Sequence, residues 1–251
     1  LKNTIKFKGN KMSRTPNIIR DVLTEEETTI KLFGEWDSPE ADILSNAWFS
    51  ALAVEHKLPD WIRYMEGMSG KKYRYLINNL IETMPDPRYL EIGSHAGSTA
   101  CSALWGNKCK ATCIDNWSEF GGPKDQFHSN IDRVLTPDID FKFIESDFRN
   151  VDYSSIGKYN IYMFDGPHFE QDQYDGIDLV KDALDDKYIL IVDDYNWDII
   201  RRGTEQALEH VGHKVIAKIE VSTMLTSGHP VVSHQYSDWH DGYLIALVSK
   251  T

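Results

Sequence analysis

The chain is predicted to adopt an α/β fold. The expected sheet is seven-stranded and mostly parallel, with an antiparallel C-terminal hairpin, helices on both faces and a helical N-terminal extension. Three features carry that prediction. From residue 89 onward, apolar runs of strand length alternate with amphipathic stretches of helix length, the order that builds a parallel sheet covered on both sides. Tyr89-Leu90-Glu91-Ile92 runs into Gly93-Ser94-His95-Ala96-Gly97 and then a helix, which is a strand, a glycine turn and a helix in succession. At the C-terminal end two strands follow each other with only a polar loop between them, which implies an antiparallel edge pair.

Residues 1–37 read as a polar extension, 38–85 as a helical cap facing a substrate, and 86–251 as the sheet domain. In the cap, Trp48, Phe49, Leu52 and Ala53 recur at helical spacing after Ser38-Pro39-Glu40, so a helix is expected over 38–58. A second spans about 70–84 and stops at Pro85-Asp86-Pro87. In the sheet domain, strands are expected at 89–92, 110–114, 141–145, 159–164 and 188–192, and the closing pair at 213–221 and 241–248. Helices are expected at 97–105, 127–134, 173–183 and 197–211.

Composition narrows the function classes. With 41% hydrophobic residues the 251-residue chain can bury a sizeable core, and a formal charge of −12 repels phosphate backbones, so nucleic acid is not expected as a partner. Cys101, Cys109 and Cys113 form no Cys-x-x-Cys pair, which points to a reducing, cytoplasmic setting and away from structural zinc. No run approaches the roughly 20 apolar residues of a membrane span. The polar, basic N-terminus carries no hydrophobic segment of the secretory kind, so neither membrane nor export is expected.

The strand ends carry the chemistry. Ligands of open parallel sheets bind beyond the carboxyl ends of the strands, and there stand Glu91, Asp115, Asp147, Asp165, Asp193 and Asp194. The turn reads Glu-x-Gly-x-x-x-Gly, not the Gly-x-Gly-x-x-Gly that brings amides to a pyrophosphate, and an acid at this point favours an amine-bearing or cationic ligand. Asp115 has the lone pairs to accept both hydroxyls of a ribose, and Asn116 follows it. Trp117 would stack on a base or pack within its loop. Asp147 would accept from an exocyclic amine, with Phe148 as an apolar wall. Asp165, in Phe164-Asp165-Gly166-Pro167-His168, and Asp193-Asp194 end what are expected to be neighbouring strands. Such carboxylates repel, and a hard divalent cation, Mg²⁺ or a similar ion, relieves the repulsion. The competing use of Asp193 or Asp194 is a helix N-cap.

These motifs resemble those of class I S-adenosylmethionine (SAM) methyltransferases, and the likeness covers about residues 66–250. The three acids resemble the metal site of Mg²⁺-dependent O-methyltransferases of catechols and macrolide sugars, and Asp-Gly-x-His is most similar to the methyltransferase-24 group. The resemblance implies a Rossmann-like SAM-binding domain at 86–251. It implies cofactor contacts from Glu91, Gly93, Ser94, His95, Gly97, Thr99, Asp115, Asn116, Trp117, Asp147, Phe148 and Asp165. Met68 and Ser69 would join them from a loop, Glu66–Lys72, that is similar to the one closing over the cofactor's methionine half. Asp165, Asp193 and Asp194 would hold the metal. The catechol type carries a lysine where this chain has His168, so Asp165 and His168 are the expected catalytic pair, with His168 as base, substrate-orienting group or simple loop packing.

The implied reaction is O-methylation of a small-molecule hydroxyl, best a catechol, sugar or other vicinal diol able to chelate the metal. The loop at 222–240 would act as a lid. Two or three of Trp36, Trp48, Trp61, Tyr195, Trp197 and Trp239 would line the acceptor pocket. A homodimer or higher homo-oligomer is expected, with the N-terminal helices as its interface. The alternatives are N-methylation, a hydroxylase-like relative on the same fold, a nicotinamide-dependent oxidoreductase, and a non-catalytic SAM-binding scaffold. A scaffold has no reason to keep three repelling acids together, and the glycine spacing opposes nicotinamide.

Overall fold

The computed structural model of the chain describes residues 3–6, 28–224, 227–230 and 232–251. Among these residues nine strands form one sheet: β1 (Asn3–Lys6), β2 (Thr29–Gly34), β3 (Arg88–Ile92), β4 (Cys109–Asp115), β5 (Ile139–Glu145), β6 (Tyr159–Phe164), β7 (Leu184–Val192), β8 (Lys214–Ser222) and β9 (Tyr243–Ser249). Among the described residues the α-helices are α1 (Pro39–Leu52), α2 (Asp60–Arg63), α3 (Lys71–Thr83), α4 (Ser98–Leu104), α5 (Lys124–Asp132), α6 (Glu170–Asp178) and α7 (Asp198–His210). None of these helices is long and apolar enough to cross a membrane.

The strand order is β1-β2-β8-β9-β7-β6-β3-β4-β5. Strands β3 to β7 pair parallel, and β9, β8, β2 and β1 continue the sheet antiparallel. Order reverses between β3 and β6: β4 and β5 lie on one side of β3, while β6 and β7 lie on the other. A crevice opens at such a switch point, beyond the strand ends.

Continuous burial explains why the central strands read as unbroken apolar runs; every residue of β6 and of β9 is buried. One face packs α1, α3, α4 and α5 through Trp48, Tyr73, Leu76, Ala100 and Phe127. The other packs α6 and α7 through Ile177, Ile200 and Ala207. Helix starts follow local chemistry. Ser38 Oγ accepts the Ala41 N–H at 3.2 Å, with Pro39 next and Glu40 and Asp42 in the first turn.

The predicted elements all occur, with shifted edges. The helix expected over 38–58 ends at Leu52 because Val54 turns left-handed at φ +63°, and α2 follows separately. The helix expected over 173–183 begins earlier, at Glu170, and closes in a 3₁₀ turn, Val180–Ala183. The larger difference lies in the extension at 1–37. Its Thr29–Gly34 pairs with β8, and Ile30, 1% exposed, joins the core. The segment reads as polar in sequence because β2 is an outlying strand with a single fully buried position.

Since Ile30 is packed as core, Ile30→Ala is expected to lower unfolding stability by about 2–5 kcal/mol. A urea titration measures it, and a loss under about 0.5 kcal/mol would place β2 outside the cooperative fold.

Candidate active site

The crevice is a cavity of ≈ 430 Å³ at the ends of β3, β4, β6 and β7, roofed by the loop before β9. That is within the usual size of a small-ligand site. Backbone strain concentrates there. Of the eight non-glycine residues with positive φ among those described, His95, Trp117, Phe120, Asp194, His234 and His240 line this cavity. Strain of about 1–3 kcal/mol each persists only where the surroundings impose it, commonly at functional sites.

On the β3–β4 side, the glycine turn and Asp115 form one unit. Asp115 Oδ2 accepts the N–H groups of Ser94 and His95 at 2.8 and 2.9 Å, and Oδ1 accepts that of Trp117 at 2.8 Å. A carboxylate has about four acceptor positions, so one or so is left for a ligand. Trp117 lies over Phe143, centroids 5.3 Å apart at 27°, and its Nε1 is buried without a partner. His95 Nδ1 is likewise buried and unpartnered, and burial lowers its pKa. Further along, Asp147 accepts from Arg149 N at 2.9 Å, and Phe148 packs edge-on to Phe164. Met68 reaches the cavity from the loop before α3. That loop is pinned by Arg74, fully buried, which donates to the carbonyls of Ile62 and Met65 at 2.8 Å each and to Ser69 Oγ at 3.0 Å.

The β6–β7 side is acidic. Asp165, Asp193 and Asp194 all line the cavity. Donor atoms of Asp165, His168 and Asp194 lie within 4.8 Å of one another, as do those of Asp193, Asp194 and His240. Two carboxylates at that spacing repel by roughly 3–4 kcal/mol at an effective dielectric of about 20. Burial first, then the neighbouring acids, push Asp165 and Asp193 well above the usual carboxylate range. Burial would raise Asp194 too, but a 2.6 Å bond from His168 Nε2 to its Oδ2 holds it low. In return that bond raises the His168 pKa against the opposing effect of burial. Asp194 Oδ1 is buried without a hydrogen-bond partner. An orphaned, buried carboxylate oxygen among crowded acids fits a hard divalent cation held by Asp165, Asp193 and Asp194.

The cavity thus collects Met68, Gly93, His95, Asp115, Asn116, Trp117, Asp147, Phe148, Asp165, His168, Asp193 and Asp194. Ser69, Glu91, Ser94, Gly97 and Thr99 stand behind its wall. Ser69 Oγ pairs with Ser98 Oγ at 3.1 Å. Gly97, at φ +85°, caps α4, and Thr99 is buried in that helix. Glu91 is fully buried and accepts the Tyr89 hydroxyl at 2.5 Å. It projects with Tyr89 towards the face that packs α1, α3, α4 and α5, because alternate residues of a strand point to opposite faces, so the acid of the turn motif supports the wall from behind. Of the expected pocket walls only Trp197 lines the cavity; Trp48 and Trp239 stack on each other in the core at 4.8 Å. Trp36, Trp61 and Tyr195 also lie elsewhere, Trp61 beneath the Arg133 guanidinium. His229, His234, His240 and Asp241 line the cavity without having been singled out as ligands. The sequence signal for them is three histidines and two aspartates within residues 229–241.

No protein-family model and no curated protein matches the chain. Among solved structures it is similar to the O-methyltransferase from Bacillus cereus in complex with SAH, at 13% identity and TM-score 0.50, over 83% of this chain and 91% of that one. It is also similar to cofactor-bound Rv0187 from MTB, at 14% identity and TM-score 0.51, over 84% and 90%. The chain has the class I methyltransferase fold. The cavity occupies the sheet's switch point, where a ligand of such a fold is held.

Glu91 generates a stability prediction. Burial lifts its pKa from 4.5 to about 7, with the Tyr89 hydrogen bond opposing the rise. The folded state therefore holds a proton that the unfolded state has lost, so stability falls as pH climbs from 4.5 to about 7 and levels off above. Glu91→Gln removes that penalty. The variant is expected to exceed wild type by up to about 3 kcal/mol at alkaline pH, with the gap closing towards the unfolded-state pKa. Denaturant titrations across that range measure it, and a pH-independent gap would overturn the assignment.

Proposed function

We propose that the chain is a SAM-dependent methyltransferase that methylates a hydroxyl of a small molecule, with a divalent cation at the acidic end of its cavity. The observation carrying this reading is one cavity with two chemically distinct ends. Asp115, Trp117, Asp147 and Phe148 make a nucleoside-like end; Asp165, Asp193, Asp194 and His168 make an acidic one.

At the first end the residues suit the cofactor. Asp115 offers its remaining lone pair to ribose, the orphaned Trp117 Nε1 and His95 Nδ1 await polar partners, and Phe148 supplies an apolar wall. Bound SAM would supply an electrophilic methyl on a sulfonium. The side chains orient the acceptor oxygen towards that carbon, which is the main requirement of an in-line substitution.

At the other end, a metal held by Asp165, Asp193 and Asp194 would lower the pKa of an acceptor hydroxyl. Crowded acids with an orphaned oxygen favour a chelating diol, catechol or sugar over an isolated amine, which would need no metal. A charge of −12 and a carboxylate floor favour a small neutral acceptor over a nucleic acid. His168 keeps Asp194 oriented through its 2.6 Å bond.

Calorimetry with S-adenosylhomocysteine tests the cofactor. A Kd of roughly 1 μM or tighter is expected for wild type, and Asp115→Asn should weaken it about tenfold or more through loss of a charged acceptor. Absence of binding to wild type would overturn the reading. The metal is tested by Asp165→Asn, which removes a repelling charge. Without metal the variant is expected to be more stable than wild type by about 1 kcal/mol or more, while losing Mn²⁺ binding followed by electron paramagnetic resonance. A variant less stable than wild type that still binds Mn²⁺ would exclude this acid as a ligand.

A further inference from the structure

The loop before β9 holds chemistry that the reading above leaves unused. Asp241 is fully buried, and its Oδ2 pairs with His229 Nδ1. Burial, then the neighbouring Asp194, lifts the Asp241 pKa to about 7 against the opposing pull of His229; above that range the ionised carboxylate accepts from Nδ1–H, which leaves the lone pair on Nε2. The His229 ring stands edge-on to Trp197, centroids 4.8 Å apart at 74°. Both His229 and Trp197 line the cavity. A buried carboxylate setting the tautomer of an imidazole is how enzymes prepare a general base.

The neighbouring imidazoles are committed differently. His240 Nδ1 accepts the His234 N–H at 2.9 Å, so neutral His240 carries its proton on Nε2. That protonated nitrogen lies 3.7 Å from Asp194 Oδ1 and 3.9 Å from Asp241 Oδ2, beyond hydrogen-bond distance, and has no lone pair to offer a metal ion. His168 Nε2 is engaged with Asp194 at 2.6 Å, and the His168 side chain is 28% exposed. His229 combines a nitrogen left as acceptor with a side chain 64% exposed at the cavity mouth. From there a proton can pass on to water.

We propose that His229, oriented by Asp241, accepts the proton of the hydroxyl that this site methylates, while His168 orients the metal ligand Asp194. The proposal rests on the methyl-transfer reading. The acceptor O–H proton passes to His229 Nε2. The oxygen lone pair forms the new O–C bond, and the C–S electron pair leaves with sulfur as a neutral thioether.

The test is calorimetric titration of the full chain with catechol, in the presence of Mg²⁺ and S-adenosylhomocysteine. It is run at about pH 7.5, where a phenol is un-ionised in water. Two buffers of different ionisation enthalpy count the protons released, and ultraviolet absorbance reports phenolate. Wild type is expected to bind catechol as phenolate with almost no proton released, because His229 retains it. His229→Gln keeps an amide N–H for Asp241, so the loop stays in place and S-adenosylhomocysteine binds as to wild type. This variant should release about one proton per phenolate bound, or bind catechol un-ionised. His168→Gln should keep the wild-type proton count while weakening Mg²⁺ binding. The assignment is overturned if His229→Gln matches wild type, if His168→Gln alone changes the count, or if wild type binds S-adenosylhomocysteine yet leaves catechol un-ionised. Failure of wild type to bind S-adenosylhomocysteine would instead overturn the methyl-transfer reading.

Discussion

The turn after β3 passes so close to the end of β6 that only a glycine fits. A Cβ on Gly93 would lie 1.7 Å from the Asp165 carbonyl oxygen, and the backbone there is left-handed, at φ +85°. The sheet's hydrogen bonds continue through this crossing. Gly93 N–H donates to Ile114 at 3.0 Å, Asp165 N–H to Ile92 at 2.9 Å, and Asp193 N–H to Phe164 at 3.2 Å. Adjacent strands therefore hand over to their loops at one level, and Asp115, Asp165 and Asp193 arrive at a common rim. Any side chain at position 93 would pry β3 from β6 and separate the two ends of the cavity.

The rim is costly to fold. Buried acids are held above their usual range, a fully buried guanidinium is satisfied by carbonyls and a hydroxyl, and residues with left-handed backbone cluster around the cavity. What offsets this is a sheet buried on both faces, with β6 and β9 enclosed along their whole length. Such an arrangement puts rigidity beneath the site and keeps its unsatisfied groups at the strand ends. There Asp194 Oδ1, Trp117 Nε1 and His95 Nδ1 each lack a partner. These are the groups whose satisfaction by ligands would recover part of the cost.

Periodicity determined the strands and helices of residues 86–251, because burial on both faces leaves an apolar run that local sequence displays directly. It also determined the acids at the strand ends, since a strand's last residue is a local fact and parallel strands end on one side. Tertiary structure alone decided which of those acids reach the cavity. Strand pleat turned Glu91 inward, while Asp115 bound the turn amides and kept a place on the wall. It alone placed β2, whose one buried residue gives no readable pattern until β8 lies beside it. And it alone brought His240 and Asp241 onto Asp194, the acid that follows β7. Those contacts span dozens of residues, and they depend on an antiparallel pair whose loop folds back over the rim.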